Sequence, residues 1–216
     1  MKKTSDNFTT EQESFWAGSF GDDYTSRNSE KKWIASNTAF FSRILSRTKG
    51  INNVLELGAN RGLNLQALKT LLPEASFNAV EINHVAALKL KNLKFVNVFH
   101  ESISAFAPPQ SYDLVLIKGV LIHINPEQLD KVYSVIAKSA GRYICIAEYY
   151  NPTPTTIDYR GYADRLFKRD FAGELMDKYC DLKLVDYGFA WHRDPSFPQD
   201  DLTWFLLENL SIPKSH

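Results

Sequence analysis

Two glycines four positions apart follow a short apolar stretch that contains a carboxylate. The segment reads VLELGANRGLNL over residues 54–65, with Glu56 before Gly58 and with Asn60 between Gly58 and Gly62. A glycine turn that joins a strand to a helix brings free backbone N–H groups to a helix N-terminus, where they attract an anionic or polar ligand group. Glycine also lets the backbone approach the ligand and the helix pack close to the strand. We therefore expect residues 58–62 to bind a ligand.

The residue types around this turn distinguish between two kinds of ligand, one with a pyrophosphate and one with an ammonium group. A dinucleotide fingerprint has a glycine at the position of Asn60, and the carboxylate of Glu56 would repel a pyrophosphate but attract an ammonium group. Glu81 ends the next apolar stretch, with Ile82 beside it, where an acidic side chain can accept hydrogen bonds from both ribose hydroxyls. S-adenosylmethionine combines an ammonium group, an unphosphorylated ribose and an adenine. The pattern favours this cofactor over NAD, although a structural turn without a ligand would also explain the glycines.

The end of the third apolar stretch is expected to face the adenine. It reads HESI, and either the side chain of Glu101 or the backbone of Ser102 and Ile103 would meet the adenine edge. Both alternatives lie beyond the carboxyl end of a strand, which is where open α/β sheets bind ligands.

The chemistry that follows from this cofactor is methyl transfer, an in-line displacement that depends on alignment and exclusion of water and requires no metal. The acceptor atom must lose a proton, so a nearby base would help. The fourth apolar stretch leads into KGVLIHINP, where Gly119 would face the methyl group and His123 is the candidate base or a structural hydrogen-bonding residue. Lys118 would hold a carboxylate or pair with Glu148 at the end of the next strand, and both are further catalytic candidates.

Candidate acceptor-binding residues follow the fifth apolar stretch. Tyr149 and Tyr150 would line an acceptor pocket or pack under the following loop. In the segment 151–169, Arg160 and Arg165 are candidates to bind a carboxylate or phosphate bidentately. Aspartates interleave with the basic residues there, which is also typical of a solvated face. His192, in the turn-rich segment before the last strand, is a further candidate.

The segment FWAGSFGDDYTSRN, residues 15–28, has no place in a sheet. We expect it to close over the cofactor, with Trp16 and Tyr24 shielding the sulfonium and Arg27 meeting the methionine carboxylate. The alternative is that its aromatic residues only cover a sheet edge.

The elements that must position these residues alternate along the chain. Stretches typical of strands occur at INNVLELG, SFNAVEIN, LKFVNVFH, YDLVLIKG and RYICIAEYY, with helical patterns between them. Continuous apolar runs indicate strands buried on both faces, as in a parallel sheet flanked by helices. Two last strands, LKLVDYGFAW and LTWFLLENL, can join as a hairpin. The prediction is a doubly wound α/β fold whose far edge is antiparallel.

The chain is expected to form a single domain over residues 1–216. Its length suffices for one hydrophobic core. Residues 1–48 would supply the lid and an amphipathic helix, and residues 49–216 the α/β core, with 151–169 as an insertion. The apolar face of the amphipathic helix, from about residue 29 to residue 47, would consist of Trp33, Ile34, Phe40, Phe41, Ile44 and Leu45.

Composition excludes several classes of partner. The 25 basic and 25 acidic side chains cancel, so no overall field attracts nucleic acid or an anionic membrane. The sequence has neither a signal-peptide pattern nor a long apolar run, and we expect a cytoplasmic protein. Cys145 and Cys180 have no metal-ligand or disulfide spacing and are expected to be reduced. The expected partner is a small anionic acceptor, bound by a monomer or homodimer.

The whole pattern resembles the class I S-adenosylmethionine-dependent methyltransferases, which implies a Rossmann-like, seven-stranded, mostly parallel sheet with an antiparallel C-terminal strand. Strings such as FWAGSFGDDYTSRN, LIKGVLIHINPEQL and YRGYADRLFKRDFAGEL resemble more closely the pseudaminic acid biosynthesis-associated methylases. That resemblance implies methyl transfer to an oxygen or nitrogen of a nonulosonic (pseudaminic) acid or related sugar intermediate of surface glycan synthesis, so that the anionic acceptor would be a sugar or nucleotide-sugar. The string FHES departs from those relatives, which have a glycine and a small residue there. The alternative is a cofactor-binding regulatory or scaffold protein with this fold and no transfer activity.

Overall fold

Helices and strands alternate along most of the chain in the computed structural model, which describes residues 8–24, 30–159 and 162–211, with the backbone alone at 23, 24, 30, 159 and 162–165. The helices are α1 (Glu11–Ala17), α2 (Ser19–Tyr24), α3 (Glu30–Leu45), α4 (Leu63–Leu71), α5 (His84–Asn92), α6 (Leu129–Ser139) and α7 (Phe171–Lys178). The strands are β1 (Asn53–Leu57), β2 (Ser76–Val80), β3 (Val96–Phe99), β4 (Tyr112–Lys118), β5 (Ala140–Glu148), β6 (Thr155–Tyr159), β7 (Tyr162–Lys168), β8 (Leu182–Ala190) and β9 (Leu202–Asn209). Two 3₁₀ turns, Leu121–His123 and Pro126–Gln128, follow β4.

Seven of the strands form one sheet in the order β3-β2-β1-β4-β5-β9-β8. The pairs among β1 to β5 are parallel, whereas β9 runs antiparallel to both β5 and β8. In this register, Val54 of β1 lies between Phe77 of β2 and Leu114 of β4. The topology confirms the predicted doubly wound α/β fold with a seven-stranded, mostly parallel sheet and an antiparallel C-terminal strand.

The sheet is buried on both faces because its central strands are apolar at successive positions. Val54 and Leu55 are both fully buried and belong to different hydrophobic clusters, one on each face. Helices α3 and α4, with Leu90 of α5, cover the face of Val54, while α6 and α7 cover the face of Leu55. Each such side chain contributes roughly 1.5–3 kcal/mol by leaving water. This packing fixes the strand ends that carry the polar residues.

The chain leaves the centre of the sheet in two directions. Strand β1 is followed by β2 and β3 on one side, and β4 is followed by β5 on the other. The connections therefore diverge where the carboxyl ends of β1 and β4 meet, and a crevice opens between them. Residues at the ends of these strands lie along that crevice.

The predicted amphipathic helix occurs close to its expected bounds. The amphipathic helix expected over about 29–47 is α3, whose Phe41 is buried. Asn125 caps the turn that Pro126 opens, because its side chain accepts a hydrogen bond from the N–H of Glu127. That first turn is 3₁₀ rather than α-helical. Within the described ranges, no helix has the length and apolarity needed to span a membrane.

The segment 151–169 contains a hairpin of β6 and β7 that the sequence did not predict. Strand β7 packs against the 3₁₀ turn that follows β4, and its Leu166 and Phe167 are buried. Prolines and interleaved charges obscure the strand pattern in the sequence. The hairpin depends on tertiary packing, which a two-stranded element needs for stability.

Candidate functional site

A cavity of about 240 Å³ opens at the carboxyl ends of β1, β2, β3 and β4. Its wall combines the turns after these four strands with parts of helices α1 to α6 and one residue before β9. The polar wall residues include Gln12, Glu13, Asn37, Asn60, Arg61, Asn64, Glu81, Asn83, Ser102, Ser104, Lys118, His123, Asn125, Gln128 and Asp200. The cavity therefore occupies the crevice where the strand order reverses, and its polar groups come from distant parts of the sequence.

The glycine turn after β1 has a backbone that few residue types adopt. Gly58, Asn60 and Gly62 have φ of 74°, 48° and 78°, a region that glycine and asparagine enter with least strain. A Cβ atom on Gly58 would lie 2.6 Å from a methyl group of Val120, and one on Gly62 would lie 2.7 Å from Leu93. A side chain at either position would therefore be strained, which favours glycine at both. Gly58 lies on the cavity wall, whereas Gly62 lies behind it.

The N–H groups at the start of this turn are bonded within the protein. Gly58 and Ala59 donate to the carbonyl oxygen of Val80, at 2.8 and 3.2 Å. Asn60 donates to Oε2 of Glu81 at 2.6 Å. The expectation of free N–H groups is wrong for these three residues. Because they already have acceptors, the turn does not offer them to a pyrophosphate.

Glu56 is fully buried and lies beneath the cavity, outside its wall. Its Oε1 accepts a hydrogen bond from Nδ2 of Asn64 at 2.6 Å, while its Oε2 has no partner among the described residues. Burial raises the pKa of Glu56 to about 8, although the bond from Asn64 and the ammonium of Lys118 lower it. Asn64 does reach the wall. At the position where Glu56 was expected to meet an ammonium group directly, the wall therefore presents Asn64.

Glu81 and Asn83 form the wall after β2, with Ile82 between them. Both polar residues are buried, and Oε1 of Glu81 accepts the N–H of Asn83 at 2.8 Å, while Oε2 accepts that of Asn60. Burial raises the pKa of Glu81, although these hydrogen bonds lower it. An ionised carboxylate has about four lone-pair sites. With bonds from the N–H groups of Asn60 and Asn83 and a further one from Ile82, the carboxylate of Glu81 still keeps acceptor capacity for a ligand.

Lys118 and Glu148 end neighbouring strands, but Lys118 lies on the cavity wall whereas the carboxyl of Glu148 is bonded to the loop after β4. Glu148 is buried outside the wall, and its Oε1 accepts hydrogen bonds from two backbone N–H groups of the loop after β4. Lys118 is half-buried on the wall, with its ammonium 5.9 Å from the centre of the Phe40 ring. Burial lowers the pKa of Lys118, against the effect of nearby carboxylates, of which Asp200 acts most strongly. Of these two residues, only Lys118 is therefore placed to contact a ligand in the cavity.

The loop after β4 places Gly119 and His123 on the wall. Gly119 has φ of 67°, and a Cβ atom there would meet nothing within 4 Å, so the cavity is open at this residue. The ring of His123 lies 4.5 Å from the ring of Trp16 in α1. His123 therefore faces the N-terminal helices as well as the cavity.

Helices α1 and α2 are joined to the cavity wall by polar contacts. Glu13 accepts hydrogen bonds from two serine hydroxyls of the loop after β3. Asn83 donates through Nδ2 to the carbonyl oxygen of Trp16 at 3.2 Å and to the carboxylate of Asp22 at 2.9 Å. Trp16 itself lies on the wall. The segment expected to close over the cofactor, residues 15–28, thus contacts the loop after β2, while Glu13 just before it contacts the loop after β3.

The loop after β3 contributes Ser102 and Ile103 to the wall, whereas Glu101 lies outside it. The Ser102 hydroxyl is one of the two that donate to Glu13. Of the two alternatives for the adenine edge, residues 102 and 103 border the cavity and Glu101 does not.

Several predicted site residues fall where no side chain is described. Arg27 and Arg160 lie outside the described residues, and only the backbone is described at Tyr24 and Arg165. The roles predicted for these four residues stay predictions.

Three predicted acceptor-binding residues lie away from the cavity wall. Tyr149 packs against both hydrophobic clusters. The ring of Tyr150 lies 6.0 Å from that of Phe205. The Nδ1 of His192 lies 2.8 Å from the carboxylate of Asp201, in the connection between β8 and β9. None of these three side chains therefore lines the cavity.

Sequence reasoning missed many of the wall residues, among them Trp33, Asn37 and Asp200. Trp33 was assigned to the apolar face of α3. The sequence did contain one signal, because the polar Asn37 follows Trp33 by one helical turn, and the structure shows that Asn37 is buried. Asp200 stands in an acidic, turn-rich segment where nothing in the sequence sets it apart. It is positioned by its neighbour Gln199, which is buried and donates to Oδ1 of Asn37 at 3.1 Å.

Solved methyltransferases share this fold. A SAM-dependent methyltransferase (SAM, S-adenosylmethionine) from Leishmania major is 18% identical, with a TM-score of 0.66 over 91% of this chain and 81% of that one. The glycopeptide N-methyltransferase MtfA is 12% identical, with a TM-score of 0.62 over 84% and 96%. The plantazolicin methyltransferase BpumL, in complex with S-adenosylhomocysteine (SAH), is 13% identical, with a TM-score of 0.63 over 92% and 93%. The chain therefore has the Rossmann-like fold of class I SAM-dependent methyltransferases.

No protein-family model matches the sequence, and no curated protein matches it. At identities of 12 to 18%, the solved structures establish the fold alone. They do not support the closer resemblance to the pseudaminic acid biosynthesis-associated methylases, which stays a prediction.

Proposed function

We propose that the protein is a SAM-dependent methyltransferase. The observation that carries this proposal is the cavity wall after β1 and β2, where Glu81 presents a buried carboxylate while the first N–H groups of the glycine turn already have protein acceptors. A ribose with two free hydroxyls matches such an acceptor, and a pyrophosphate does not. Structural neighbours that were solved with SAM or SAH support the same cofactor.

The remaining wall residues fit the other parts of SAM. Oδ1 of Asn60 is a buried acceptor without a partner among the described residues, and an ammonium group would satisfy it. The ring of Trp16 would attract a positive charge and, with α1, would exclude water from the cavity. When bound, the cofactor supplies a methyl group activated by a positively charged sulfur. The task left to the chain is to align the acceptor and to take its proton.

Two wall residues are proposed to take the proton that the acceptor loses. His123 and Asp200 both border the cavity, and an imidazole or a carboxylate can act as a general base. Glu148 is not proposed for this role, because its carboxyl is buried outside the wall and bonded to the loop after β4.

The proposed acceptor is a small molecule with a carboxylate, of the nonulosonic acid type, methylated on an oxygen or nitrogen. The ammonium of Lys118 supports an anionic acceptor, because a carboxylate beside it would compensate the burial that lowers its pKa. The strings that resemble pseudaminic acid methylases support a sugar acid. Among the structural neighbours, the glycopeptide N-methyltransferase supports nitrogen as one possible methylated atom.

Transfer of a labelled methyl group from SAM to pseudaminic acid, free and nucleotide-linked, tests this function. The wild type is expected to give a labelled product that mass spectrometry identifies as the methylated acid. Lys118→Met is expected to raise the KM for the acid at least about tenfold, because it removes a charge-assisted contact to the carboxylate. Lys131→Met, at an exposed position of α6, is the matched control and should leave the KM unchanged.

The outcomes separate the parts of the proposal. Labelling of a different compound in an extract of the source cell would contradict the sugar acid and leave the methyltransferase function standing. Binding of SAH without transfer to any acceptor would favour a regulatory or scaffold protein instead. A protein that binds neither SAM nor SAH would contradict the proposed function as a whole.

A further inference from the structure

Glu148, at the end of β5, has a buried carboxyl whose hydrogen bonds all reach one loop. Only 2% of its surface is exposed. Its Oε1 accepts the backbone N–H groups of Val120 and Leu121, both at 2.9 Å, and its Oε2 has no partner in the described part of the chain. A buried carboxylate is strongly unfavourable unless such bonds compensate for the lost water. The loop that donates these hydrogen bonds is therefore where a function for the buried carboxylate is expected.

The two N–H groups open the 3₁₀ turn Leu121–His123. The first donors of a helical turn have no acceptor within the turn, and the bonds inside this turn begin with the N–H of His123, which donates to the carbonyl of Val120 at 2.9 Å. Glu148 thus caps the turn from a neighbouring strand, in the way that an N-cap side chain does locally. Because a charged acceptor forms stronger hydrogen bonds than a neutral one, the ionised carboxyl ties the loop to β5.

The same loop shapes the cavity at three places. Val120 fills the space beside Gly58, where an added Cβ atom would be 2.6 Å from it. The ring of His123 lies 4.5 Å from the ring of Trp16 in α1. Nδ2 of Asn125 donates to a glutamine of α1 at 3.3 Å. A shift of this loop would therefore disturb the glycine turn and the helix over the cavity together.

The charge of Glu148 changes close to neutral pH. Burial raises its pKa to about 7, although the loop N–H groups and the ammonium of Lys118 on β4 lower it. Thr203, opposite Glu148 on β9, is uncharged, and His123 is the titratable residue of the loop itself. Protonation would replace a charged acceptor with a weaker, neutral one.

We propose that Glu148 is a positioning residue, whose ionised carboxylate holds residues 119–125 in the arrangement that forms the cavity wall. This replaces the catalytic role expected from the sequence, because the carboxyl does not border the cavity. The consequence for cofactor binding rests on the proposed function, whereas the attachment of the loop to β5 does not. Loss of the charge should weaken cofactor binding although no group that touches the cofactor is removed.

Glu148→Gln tests this role, because it keeps the shape and a carbonyl acceptor and removes the charge. In the wild type, the NMR amide shifts of Val120 and Leu121 are expected to titrate with a midpoint near the pKa of about 7, and in E148Q they should stay constant. Calorimetry at about pH 8 should show the dissociation constant for SAH rising about tenfold in E148Q. As the pH falls to about 6, the wild-type constant should rise toward the value of the variant.

Two further variants serve as controls. Glu174→Gln changes a carboxyl that bonds Tyr133 and Arg169 and does not contact the loop, so its SAH constant should stay within about twofold of the wild type. His123→Gln removes the imidazole of the loop, and the amide titration should persist in it.

The role would be overturned if the amides of Val120 and Leu121 titrated in E148Q as they do in the wild type, or if folded E148Q bound SAH as tightly as the wild type. If E148Q did not fold, the presence or absence of the amide titration in the wild type and in H123Q would decide. A wild type that does not bind SAH contradicts the proposed function, and the amide titration still tests the attachment of the loop.

Discussion

At the scale of single residues, the candidate site depends on carboxyl groups that the fold removes from water. Glu56, Glu81 and Glu148 are all buried, and burial raises the pKa of each one. Each accepts at least one hydrogen bond from a nearby loop or helix. Such groups weaken the fold in their charged form and are concentrated at functional sites. Their cost to stability is therefore measurable apart from any activity.

Glu56→Gln is expected to flatten the pH dependence of stability. The pKa of Glu56 is about 8 in the folded chain against an ordinary value of 4.5, so the folded state holds the additional proton between these two values. The stability that this proton contributes is fully present below the lower value and is lost as the pH rises toward 8. Urea unfolding should show the wild type losing about 2 to 4 kcal/mol relative to E56Q between about pH 5 and pH 8.

The exposed Glu74 provides the control for that comparison, because Glu74→Gln changes a carboxyl that the fold leaves in water. Its stability profile should run parallel to that of the wild type. A parallel profile for E56Q as well would contradict the burial argument.

At the scale of elements, α1 and α2 are held over the cavity chiefly by side chains of the core. Asn83 has two separate functions there. Its Oδ1 accepts the N–H of Ala86 at 2.9 Å and so caps α5, while its Nδ2 donates to Trp16 and Asp22 of the N-terminal helices. Short helices are marginal by themselves. The two helices therefore depend on contacts such as these.

Asn83→Asp should release α1 and α2 without disturbing α5. Aspartate keeps the cap, but it has no N–H to donate, and it places a second negative charge beside Asp22. Hydrogen exchange is expected to show the opening of residues 11–24 favoured by about 1 to 3 kcal/mol, with unchanged protection in α5. Asn83→Ala, which removes the cap as well, should also speed exchange in α5. Wild-type protection of α1 and α2 in N83D would count against this anchoring.

At the scale of the whole molecule, one cavity gathers residues from both ends of the described chain. Gln12 of α1 and Asp200 before β9 border the same cavity, and Gln199 bonds Asn37 across the 162 residues that separate them. A ligand in this cavity would contact the turns after four strands and residues of helices α1 to α6. Binding should therefore stabilise the domain as a unit.

Saturating SAH is expected to raise the unfolding temperature in one cooperative transition. A ligand at about 100 times its dissociation constant adds about 2.7 kcal/mol, which in a domain of this size corresponds to roughly 5 to 10 °C. Differential scanning calorimetry measures the shift. NADH at the same concentration should leave the transition unchanged, because the glycine turn does not offer its first N–H groups to a pyrophosphate. An equal shift with NADH would contradict the choice of cofactor.

The sequence by itself determined the mostly parallel sheet and the alternation of strands and helices along the chain, because buried parallel strands and amphipathic helices have distinct periodicities. It also indicated the turn at Gly58 and the acid at Glu81, since both follow directly from residues at strand ends. Hairpin β6–β7 was not predicted, because its strands are stabilised by packing on the loop after β4. Local patterns do not record such contacts.

Only the tertiary structure decided which polar groups reach the cavity. Glu56 and Glu148 occupy strand ends that the sequence marks in the same way as Glu81, yet they are buried outside the wall, where Asn64 of α4 bonds Glu56 and the loop after β4 bonds Glu148. Asp200 reaches the wall through a hydrogen bond between residues far apart in the sequence. The polar residues at strand ends can be identified from the local sequence. Which of their side chains reach the cavity depends on packing between distant segments.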